Sequence, residues 1–589
     1  MKVKLINENF KENYLKNLLL HRGVKNLTEF FEPSENNLQD ASNLKNIQLG
    51  ANLYLRVVKN KGRILLVVDS DCDGFTSAAI IYQYTKKLNP DCQIDYWLHE
   101  GKQHGLQDHI DKLMTSNINY DLILLPDSSS NDKEYHDQLD SINIPCLVLD
   151  HHLTDVPLSD NAIVINNQLS PKYLNKELTG AGVVYQFCKY IDKIENVNYA
   201  DEYLDLAALG IVGDMGSVLQ MENRYIIKKG FSEQYLKNIL FKTLLEKQSY
   251  SISGKQGASW QDIVKATNPI SVAFYIVPLI NASIRVASRE EKERLFLGFI
   301  SGDTLVSSNK RGEKGKMVLV ADEVARECTN AKNKQNKIKE SVVERLEQKI
   351  FKYDLLENKV LFVKLDEEDD NFPTVLTGLV AMQLSAKYKK PTIVGRLNSQ
   401  GFIRGSGRGL SQSELTDFKK FLTDSGIFEY AQGHANAFGF SMHETNLEWF
   451  YKYTNDKLKD IDFGENCYDV NFQRNSKDDD ITNLVTDLGA AKEVWGQQNN
   501  EALIYITQIP VDSSNMRIMG ANKDTLKIEY NGIPYLKFHA KDMIEDLQNR
   551  GKTVINIVGK ANINEWMGRI SPQIFIEAYE IDNNLPIGF

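Results

Sequence analysis

The sequence predicts an α/β protein with a parallel-sheet domain, a helical connector, a second α/β domain and a small C-terminal β-barrel. Residues 62–167 alternate short apolar, β-branched runs with polar helical stretches, which is the pattern of parallel strands joined by crossover helices. A second stretch of this kind begins near residue 358. After residue 460, β-prone segments are separated by turn signals, as they are in small barrels.

Five apolar runs make up the first predicted sheet: GRILLVVD, IDYWLHE, YDLILLPD, PCLVLDHH and NAIVINN. Nearly continuous apolar strands predict a sheet that is covered on both faces, with ligand-binding groups in the loops beyond the carboxyl ends of the strands. The first run ends at residues 69–73, the third at Asp127 and the fourth at residues 150–152. We therefore expect these polar side chains to meet at one edge of the sheet.

The segment between the two α/β domains, residues 231–352, is helix-rich and highly charged. Its charge is more typical of a solvated helix face than of a nucleic-acid-binding patch. The second α/β domain carries two glycine-rich turns, IRGSGRGL and AQGHANAFGF.

Length and composition describe a folded protein of about three or four domains. The chain has 589 residues, of which 42% are hydrophobic and 25% charged, and a net charge of −10. This acidic total does not favour nucleic acid, but a nuclease can combine a carboxylate-rich metal site with local basic patches. The six cysteines show no C-x-x-C spacing, which fits a reducing cytoplasm. No signal peptide is apparent, and the longest apolar run, residues 269–280, is shorter than the ~20 residues of a membrane helix, so no membrane role is expected.

The stretch VVDSDCDGFTSA places Asp69, Asp71 and Asp73 within five residues at the end of the first strand. Like charges this close raise one another's pKa unless a cation or hydrogen-bond donors offset them, and a divalent metal is the obvious cation. Taken in isolation, a solvated acidic turn or an EF-hand-like loop would look the same.

Three further candidates favour the metal: Asp127, His151 and Asp214. The first two follow strands of the same sheet, and the third ends a predicted helix between glycines. Carboxylates with imidazole and no thiolate cluster suit Mn²⁺ or Mg²⁺ better than a structural zinc. Two such ions about 3.5 to 4 Å apart, bridged by a shared carboxylate, would activate a water and stabilise both oxygens of a phosphoryl displacement.

The order of the motifs resembles that of a known family. VVDSDCDG, LPD, LDHH, LTGAGVVYQF, ALGIVGDMGSVLQMENR and PLINASIR resemble, in this order, motifs of the DHH phosphoesterase superfamily and, within it, of the RecJ-type single-strand-specific exonucleases. TGLVAMQL, IRGSGRG and QGHANAFG resemble the DHH-associated domain, and VGKANINEWMGRISPQIFIEAYEI resembles the closing strands of the RecJ oligonucleotide-binding (OB) fold. The resemblance runs nearly from end to end.

The resemblance implies a role for each residue of the acidic site. Asp71 and Asp127 would hold one ion, and Asp73, Asp127, His151 and Asp214 would hold the other, so that Asp127 bridges the two. Asp69 would support this metal shell, and Asp150 would orient its neighbours. His152 would touch the scissile phosphate and, with the residues that hold the two ions, complete the catalytic set.

The resemblance also implies a substrate-binding set: Asn281, Arg285, Arg404, Ser406, Arg408, Gly433 and His434. In IRGSGRGL, two guanidinium forks and a hydroxyl alternate and can point together at a phosphate. OB-type barrels bind single strands by base stacking on aromatic residues along a basic groove, and Trp566, Arg569 and Lys560 are the candidates for this surface, although an aromatic residue in a small barrel is core at least as often. Two positions depart from the family pattern. His99 stands where relatives usually carry an arginine, so that one phosphate contact is weakened, replaced or misaligned, and Gln432 stands where they more often carry the first of two glycines.

The expected domains are an N-terminal segment, residues 1–55, that packs on the catalytic domain; the DHH catalytic domain, 56–230; the helical connector, 231–352; the DHH-associated substrate-binding domain, 353–458; and the OB-like single-strand-binding domain, 459–589.

The function implied by the resemblance is a metal-dependent 5′-to-3′ exonuclease that hydrolyses single-stranded DNA in repair, recombination or replication. We expect a cytoplasmic monomer, with a single-strand-binding protein or a helicase as candidate partners. The strand would thread through a cleft between the α/β domains, and Ser406, Arg408 and Arg285 would capture its 5′ phosphate. Two alternatives are a phosphodiesterase for short oligoribonucleotides or cyclic dinucleotides, disfavoured by the long connector and the barrel, and an inactive replication scaffold, disfavoured by the complete ligand set.

Overall fold

The computed structural model of the protein describes residues 1–101, 103–116, 118–154, 157–365, 372–410, 413–464, 466–566 and 569–582. The chain divides into two compact units. The first unit consists of Thr28–Gln335 and Glu493–Asn500, and the second unit of Met1–Leu27, Asn336–Lys492 and Glu501–Phe589.

The elements as far as the end of the first sheet are β1 (Lys2–Leu5), α1 (Tyr14–His21), α2 (Leu27–Phe31), α3 (Ile47–Lys59), β2 (Arg63–Val68), α4 (Cys72–Leu88), β3 (Gln93–Leu98), α5 (Ile110–Met114), β4 (Leu122–Pro126), α6 (Lys133–Asp140), β5 (Cys146–Asp150) and β6 (Ala162–Asn166). The helical region that follows contains α7 (Gly180–Glu195), α8 (Leu204–Gly213), α9 (Met221–Gly230), α10 (Ile239–Lys247), α11 (Ser249–Ser253), α12 (Trp260–Ala266), α13 (Pro269–Tyr275), α14 (Val277–Val286), α15 (Arg289–Ile300), the hairpin β7 (Leu305–Ser307) and β8 (Met317–Leu319), and α16 (Val320–Lys352).

The remaining elements are β9 (Leu361–Leu365), α17 (Thr377–Tyr388), β10 (Thr392–Leu397), β11 (Phe402–Arg408), α18 (Phe418–Thr423), β12 (Tyr430–His434), β13 (Ala437–His443), α19 (Leu447–Lys457), β14 (Cys467–Val470), β15 (Phe472–Asn475), α20 (Ile481–Ala490), β16 (Leu503–Val511), β17 (Met516–Met519), β18 (Thr525–Tyr530), β19 (Ile533–Lys537), α21 (Lys541–Arg550), β20 (Thr553–Trp566) and β21 (Arg569–Ile581).

A five-stranded parallel sheet lies at the centre of the first unit, as the sequence predicts. Its strand order is β3-β2-β4-β5-β6. Alternate side chains of β2 enter two different apolar clusters: Leu66 and Val68 belong to one, and Leu65 and Val67 to the other. Both faces of the sheet are therefore buried, which explains why its strands read as continuous apolar runs. Since β2, β4 and β5 are neighbours, the polar residues that follow them come together at one edge.

The connector is helical, as predicted, and the basic interruption SSNKRGEKGK forms the turn of the β7–β8 hairpin. One helical stretch in the described residues, Pro269–Val286, is apolar and long enough to cross a membrane by length and composition alone. It has a mean hydropathy of 1.5, and 61% of it is buried inside the protein. It comprises two helices, α13 and α14, and the buried share is what a core segment of a folded domain shows.

The second α/β domain has a mixed five-stranded sheet with the order β12-β13-β11-β10-β9. One face of this sheet packs into an apolar cluster that includes Ile393, Ile403 and Phe440. Residues on the other face alternate with these, and α17 lies against β10 and β11. Because Arg404, Ser406 and Arg408 alternate with buried Ile403 and Gly407 along β11, they occupy this second face.

The β-prone segments after residue 460 form a seven-stranded sheet with the order β15-β16-β20-β21-β19-β18-β17. A parallel pair, β15 and β16, begins it, and the long antiparallel hairpin β20–β21 lies near its middle. The register of the hairpin shifts at a bulge between Val558 and Gly559.

The N-terminal segment differs from the expectation that residues 1–55 pack together on the catalytic domain. Strand β1 pairs in parallel with β14, and the hydroxyl of Tyr14 donates to Asp480 at 3.1 Å, so residues 1–27 belong to the second unit. Helix α3, in contrast, lies with the first sheet, where the side chain of Asn46 donates to the carbonyl of Val164 at 3.0 Å. The backbone groups of the four residues of β1 find their hydrogen-bond partners on β14, and the pattern of apolar residues in the sequence does not reveal this pairing.

Candidate active site

Asp73 is held by the N-terminus of a helix. Its buried carboxylate accepts hydrogen bonds from the amides of Gly180 and Ala181, at 2.7 and 3.0 Å, and from the hydroxyl of Thr179 at 3.0 Å. These groups open α7, where unpaired amides and the helix dipole favour a negative charge. Even so, burial and the nearby charge of Asp71 raise the pKa of Asp73 to about 7. The amides fix the position of this carboxylate without fully compensating its charge.

Asp127 follows β4 in a left-handed conformation, with φ at 64°. Its amide donates to the carbonyl of Leu149 at 2.8 Å, so the turn continues the sheet while the side chain points into the site. A side chain at position 180 would not fit beside it, because a Cβ on Gly180 would lie 2.3 Å from Asp127 Oδ1. Burial raises the pKa of Asp127 well above its ordinary value, and the surrounding acids add to the effect.

The Nε2 atom of His151 lies among carboxylates. It is 3.2 Å from Asp127 Oδ1, 3.4 Å from Asp214 Oδ2 and 4.0 Å from Asp73 Oδ2. Burial and the adjacent ring of His152 lower the pKa of His151 to about 4, so the ring is neutral at pH 7. A neutral imidazole is the form that binds a metal.

Asp150 organises the DHH loop. Its carboxylate accepts hydrogen bonds from the amides of Ser130 and His151, at 3.0 and 2.7 Å, and contacts Nδ1 of His152 at 2.7 Å. Although burial disfavours the charge of Asp150, His152 and these donors lower its pKa below the ordinary value. Burial likewise disfavours the charged form of His152, but Asp150 raises the pKa of His152 above its ordinary value. The loop therefore presents a cationic ring beside the acidic cluster.

Asp214 stands immediately after the last residue of α8, and 39% of its side chain is accessible, against 1% for Asp73 and 2% for Asp127. Burial and the charges of Asp73 and Asp71 raise the pKa of Asp214 above its ordinary value. Helix α8 approaches the site closely, since a Cβ on Gly210 would lie 2.3 Å from Asp73 Oδ1.

Asp69 and Asp71 complete the edge. Asp71 caps α4 by accepting a hydrogen bond from the amide of Gly74 at 3.1 Å, while Asp69 is fully buried and contacts Nδ1 of His104 at 2.7 Å. Burial raises the pKa of Asp69, and His104 opposes that shift. Sequence reasoning missed His104, because nothing in HEGKQHGL distinguishes this histidine before the loop is folded.

The donor set fits hard divalent cations. Three groups of side chains each have ligand atoms within 4.8 Å of one another: Asp69, Asp71 and Asp127; Asp73, His151 and Asp214; and Asp127, Asp150, His151 and His152. Within the described part of the chain, Oδ1 of Asp69, Oδ1 of Asp127 and Nε2 of His151 are buried without a hydrogen-bond partner. Buried oxygens and an imidazole nitrogen that lack donors, beside acids of raised pKa, are suited to coordinate cations.

Asn281 and Arg285 lie beside this cluster, one helical turn apart on α14. The side-chain oxygen of Asn281 accepts a hydrogen bond from the amide of Cys72, at the start of α4, at 3.1 Å. Burial lowers the pKa of Arg285, and the charge of Asp71 opposes that effect. One face of α14 therefore supplies both groups: the Asn281 side chain, which positions α4, and the Arg285 guanidinium, which lies near Asp71.

In the second unit, β11 and the N-terminus of α17 form a separate polar cluster. The hydroxyls of Ser406 and Thr377 are 3.0 Å apart, and Nη1 of Arg408 donates to the carbonyl of Gly407 at 2.8 Å. A Cβ on Gly378 would lie 2.5 Å from Nη2 of Arg408. Thr377 and Gly378 open α17, so the cluster combines a guanidinium, two hydroxyls and the amides of a helix N-terminus. Sequence reasoning found TGLVAMQL only as a family motif and gave its first two residues no role.

His434 joins this cluster through the sheet register. Both His434 on β12 and Arg408 on β11 pair with Ala437 on β13, so their side chains leave the same face at the same level. Gly433 has φ at 124°, and a Cβ there would lie 2.7 Å from the carbonyl oxygen of Ala437, so the turn requires glycine. Arg404 is exposed two residues before Ser406.

The predicted strand-binding residues of the C-terminal domain lie on its long hairpin. Trp566 and Arg569 pair across the β20–β21 hairpin, but their side chains lie outside the described residues. Lys560, on β20, lies 3.1 Å from Glu577 and 3.7 Å from Glu501.

His99 follows β3 and is 95% buried, with its ring stacked 4.5 Å from that of His109. Burial lowers the pKa of His99 to about 3, so this residue is a neutral core histidine.

Comparisons with known proteins agree with this arrangement. Residues 63–211 match the family model of the DHH family, N-terminal domain, and residues 476–578 match that of the RecJ OB domain. The chain is 35% identical over 590 residues to a putative prophage-derived single-strand DNA-specific exonuclease, YorK, of Bacillus subtilis, covering 99% of this chain and 98% of that protein. It is 22% identical over 577 residues to the single-stranded-DNA-specific exonuclease RecJ of Bacillus subtilis, covering 95% of this chain and 67% of RecJ.

Solved structures show the same fold. The crystal structure of RecJ from Thermus thermophilus in complex with Mn²⁺ matches with a TM-score of 0.73 and 18% identity, covering 99% of this chain and 80% of that one. The Mg²⁺ complex of the same protein matches with a TM-score of 0.65 and 19% identity, covering 98% and 78%. The end-to-end relationship at 35% identity, the two matching domains and the DHH loop lead to one conclusion: the chain belongs to the DHH family, among the RecJ-type single-strand-specific exonucleases.

Proposed function

We propose that the protein is a metal-dependent exonuclease that hydrolyses phosphodiester bonds of single-stranded DNA. The observation that carries this proposal is the convergence of Asp127, His151 and Asp214 around unpaired buried ligand atoms at the edge of the parallel sheet. Relatives along the whole chain are named single-strand DNA-specific exonucleases, which supports DNA as the substrate class.

Two divalent ions, Mn²⁺ or Mg²⁺, would supply an activated water and neutralise the charge that develops on the transferred phosphate. Asp71 and Asp127 would hold one ion, and the other would be held by Asp73, Asp127, His151 and Asp214. Helix α7 fixes Asp73 through its amides, and the sheet edge fixes Asp127, so these ligands are positioned before the substrate arrives. Asp69, anchored by His104, supports this shell.

His152 would contact the scissile phosphate. Asp150 keeps its ring oriented and cationic, and about half of the His152 side chain is exposed, so its remaining ring nitrogen can donate to a phosphate oxygen. Arg285, held near Asp71 by α14, would add a second positive charge in the same unit.

The cluster of Ser406, Arg408 and Thr377 would bind a terminal phosphate, with Gly433, His434 and Arg404 around it. A terminal monoester carries close to two negative charges at neutral pH against one on an internal diester, so a helix N-terminus with a guanidinium favours the strand end. The polarity we propose is 5′ to 3′.

The OB domain would hold the strand away from the site. Such domains bind single strands by stacking and by contacts to phosphates, independently of sequence. We expect a monomer that acts in the cytoplasm, where its six free cysteines stay reduced, in DNA repair, recombination or replication. A single-strand-binding protein and a helicase are the partners that fit this role.

End-labelled single-stranded and double-stranded DNA, incubated with the protein with Mn²⁺, with Mg²⁺ or with a chelator, test the proposal. Single strands should shorten only with a metal, and blunt duplexes should resist. The matched control is Asp127→Asn, which keeps the shape of the side chain and removes its charge. Degradation in the chelator, equal cleavage of duplex and single strand, or full activity of Asp127→Asn would refute the proposal.

A further inference from the structure

The turn after α8 places a methionine where helices usually place glycine. The amide of Gly216 donates to the carbonyl of Ile211 at 2.8 Å, and the amide of Met215 donates to that of Val212 at 3.4 Å. This double hydrogen bond is the Schellman ending of a helix, which requires a left-handed residue at the position that Met215 occupies. Met215 has φ at 60°, a conformation that glycine, and to a lesser degree asparagine, adopts readily and that is rare for a bulky side chain.

The glycines of this turn lie on either side of the strained residue. A Cβ on Gly216 would lie 2.8 Å from Ile211 Cγ2 and 3.1 Å from Thr179 Cγ2, and one on Gly213 would lie 3.1 Å from Cys72. The backbone of the turn is therefore fitted tightly against its surroundings, and Met215 is held in its conformation by its neighbours. A strained residue beside a functional site points to a role for its side chain.

Met215 is 51% exposed and stands next in the chain to an acid of the cluster. It follows Asp214, whose Oδ2 atom is 3.4 Å from Nε2 of His151, and adjacent Cα atoms are about 3.8 Å apart. Leu153 follows His152 in the same way and is 73% exposed. Two apolar side chains are thus presented directly after two polar residues of the site.

We infer that Met215 packs against the base of the nucleotide held at the metal centre, with Leu153 extending the same apolar contact. This inference rests on the proposed function. The charged groups of the site suit phosphate, whereas a flexible thioether packs well on the face of an aromatic ring. Every base has such a face, so the contact is independent of sequence, as a processive exonuclease requires.

The test uses long single strands that carry one abasic residue, and follows their shortening by single-turnover degradation of the full-length protein. The wild-type protein should slow about fivefold to tenfold at the abasic position, which corresponds to losing the burial of roughly half a methionine side chain. Met215→Gly should degrade normal strands more slowly by a similar factor and show no additional slowing at the abasic position. Its midpoint of thermal unfolding should equal or exceed that of the wild type, because glycine adopts the left-handed conformation without strain.

Three variants make the result specific. Met215→Asn, which also tolerates this conformation but is polar, should behave like the glycine variant in degradation, and Met215→Leu should retain the slowing. Lys389→Gly relieves the same left-handed conformation, φ 53°, after α17 and should leave degradation unchanged. If Met215→Gly and Met215→Asn slow at the abasic position as the wild type does, the contact does not exist. A wild-type protein that degrades neither strand would instead refute the proposed function.

Discussion

At the scale of single residues, Asp127 shows why the site suits cations. Its carboxylate is 98% buried, its Oδ1 atom has no donor within the described chain, and burial raises its pKa well above the ordinary value. Four neighbouring acids raise it further: Asp73, Asp71, Asp69 and Asp214. The ions of the proposed function would reverse this effect, because the charges that repel one another then have a common counter-charge.

Asp127→Asn should therefore separate stability from function. We expect the metal-free variant to be at least as stable as the wild type, because one of several repelling charges is removed. Its hydrolysis rate should fall by at least about a hundredfold, since loss of a bridging ligand costs several kcal/mol of transition-state stabilisation.

Thermal unfolding with and without Mn²⁺ provides the measurement. The wild type should gain stability with Mn²⁺ by mass action, and the variant should gain clearly less. An equal gain in both proteins, or more than about a tenth of wild-type activity in the variant, would contradict a bridging role.

A second residue-scale prediction concerns pH. His99 is buried and neutral; burial is the main cause of its low pKa of about 3, and His109, His104 and Lys292 contribute in the same direction. Asp108 lies 3.8 Å from its Nδ1 atom. In the unfolded chain the ring takes up a proton below about pH 6.5, so the unfolded state binds more protons and stability falls as pH falls.

Urea unfolding of metal-free protein at several pH values measures this effect. Between about pH 6.5 and pH 5, the free energy of unfolding of the wild type should decrease by about 2 kcal/mol more than that of His99→Gln. The acidic cluster is common to both proteins and drops out of the difference. Parallel pH curves would mean that the unfolded and folded chains protonate this ring alike.

At the scale of elements, two helix N-termini do similar work. Helix α7 opens after Thr179 with Gly180, which places amides on Asp73, and α17 opens with Thr377 and Gly378 against Ser406 and Arg408. In both, glycine allows a charged side chain to approach the first turn closely. The first helix orients an acid of the candidate metal centre, and the second presents its first amides to the terminal phosphate that we propose.

Arg408→Ala tests the second helix. The wild-type protein should prefer a strand with a 5′ phosphate over one with a 5′ hydroxyl, and the variant should lose about tenfold of that preference, the value of one charge-assisted hydrogen bond. Both strands carry a 3′ label so that shortening is read from the far end.

Arg56→Ala, at an exposed position of α3, is the matched control and should keep the preference. Arg408→Lys should recover it only in part, because an ammonium lacks the guanidinium fork. Release of nucleotides from the 3′ end, or indifference of the wild type to the 5′ group, would reject the assignment and leave the metal centre untouched.

The sequence predicts the parts of the site that depend on strand ends. Asp69, Asp127 and Asp150 follow apolar runs, and the rule that parallel strands present one edge brings them together without further information. His104 and Thr377 were missed because their positions depend on how loops fold. For His99, the resemblance leaves open whether a phosphate contact is weakened, replaced or misaligned, whereas the structure shows a buried core residue. Periodicity cannot show burial of a single residue at a strand end.

At the scale of the whole molecule, the two units share the chain in an interleaved order. Residues 493–500 belong to the first unit: the amide of Val218 donates to the carbonyl of Gln497 at 3.1 Å, and a Cβ on Gly496 would lie 2.6 Å from Val218. Residues 1–27 belong to the second unit through β1 and α1. A boundary near residue 459, as the composition suggests, therefore does not separate independent pieces.

Two truncations should show this difference. A chain that ends at residue 500 keeps the segment packed on Val218 and loses strands β16–β21; it should remain a slow nuclease with weaker binding to long strands and a smaller salt dependence. A chain that ends at residue 458 also loses that segment and should unfold at a lower temperature. Equal stability of the two truncations would show that residues 493–500 add nothing to the first unit, and undiminished binding by the longer one would exclude the OB domain from the DNA path.

The same interleaved order determines when the protein can complete its folding during synthesis. A ribosome releases the chain from its N-terminus, so the first strand emerges long before its partner at residues 467–470, and the first unit waits for residues 493–500 although its sheet is complete by residue 166. Part of the surface of the first unit thus remains exposed until more than four fifths of the chain has been synthesised. A ribosome that stalls earlier would release a chain whose acidic edge has formed but whose apolar surface near Val218 is bare, which is the kind of product that quality-control proteases remove.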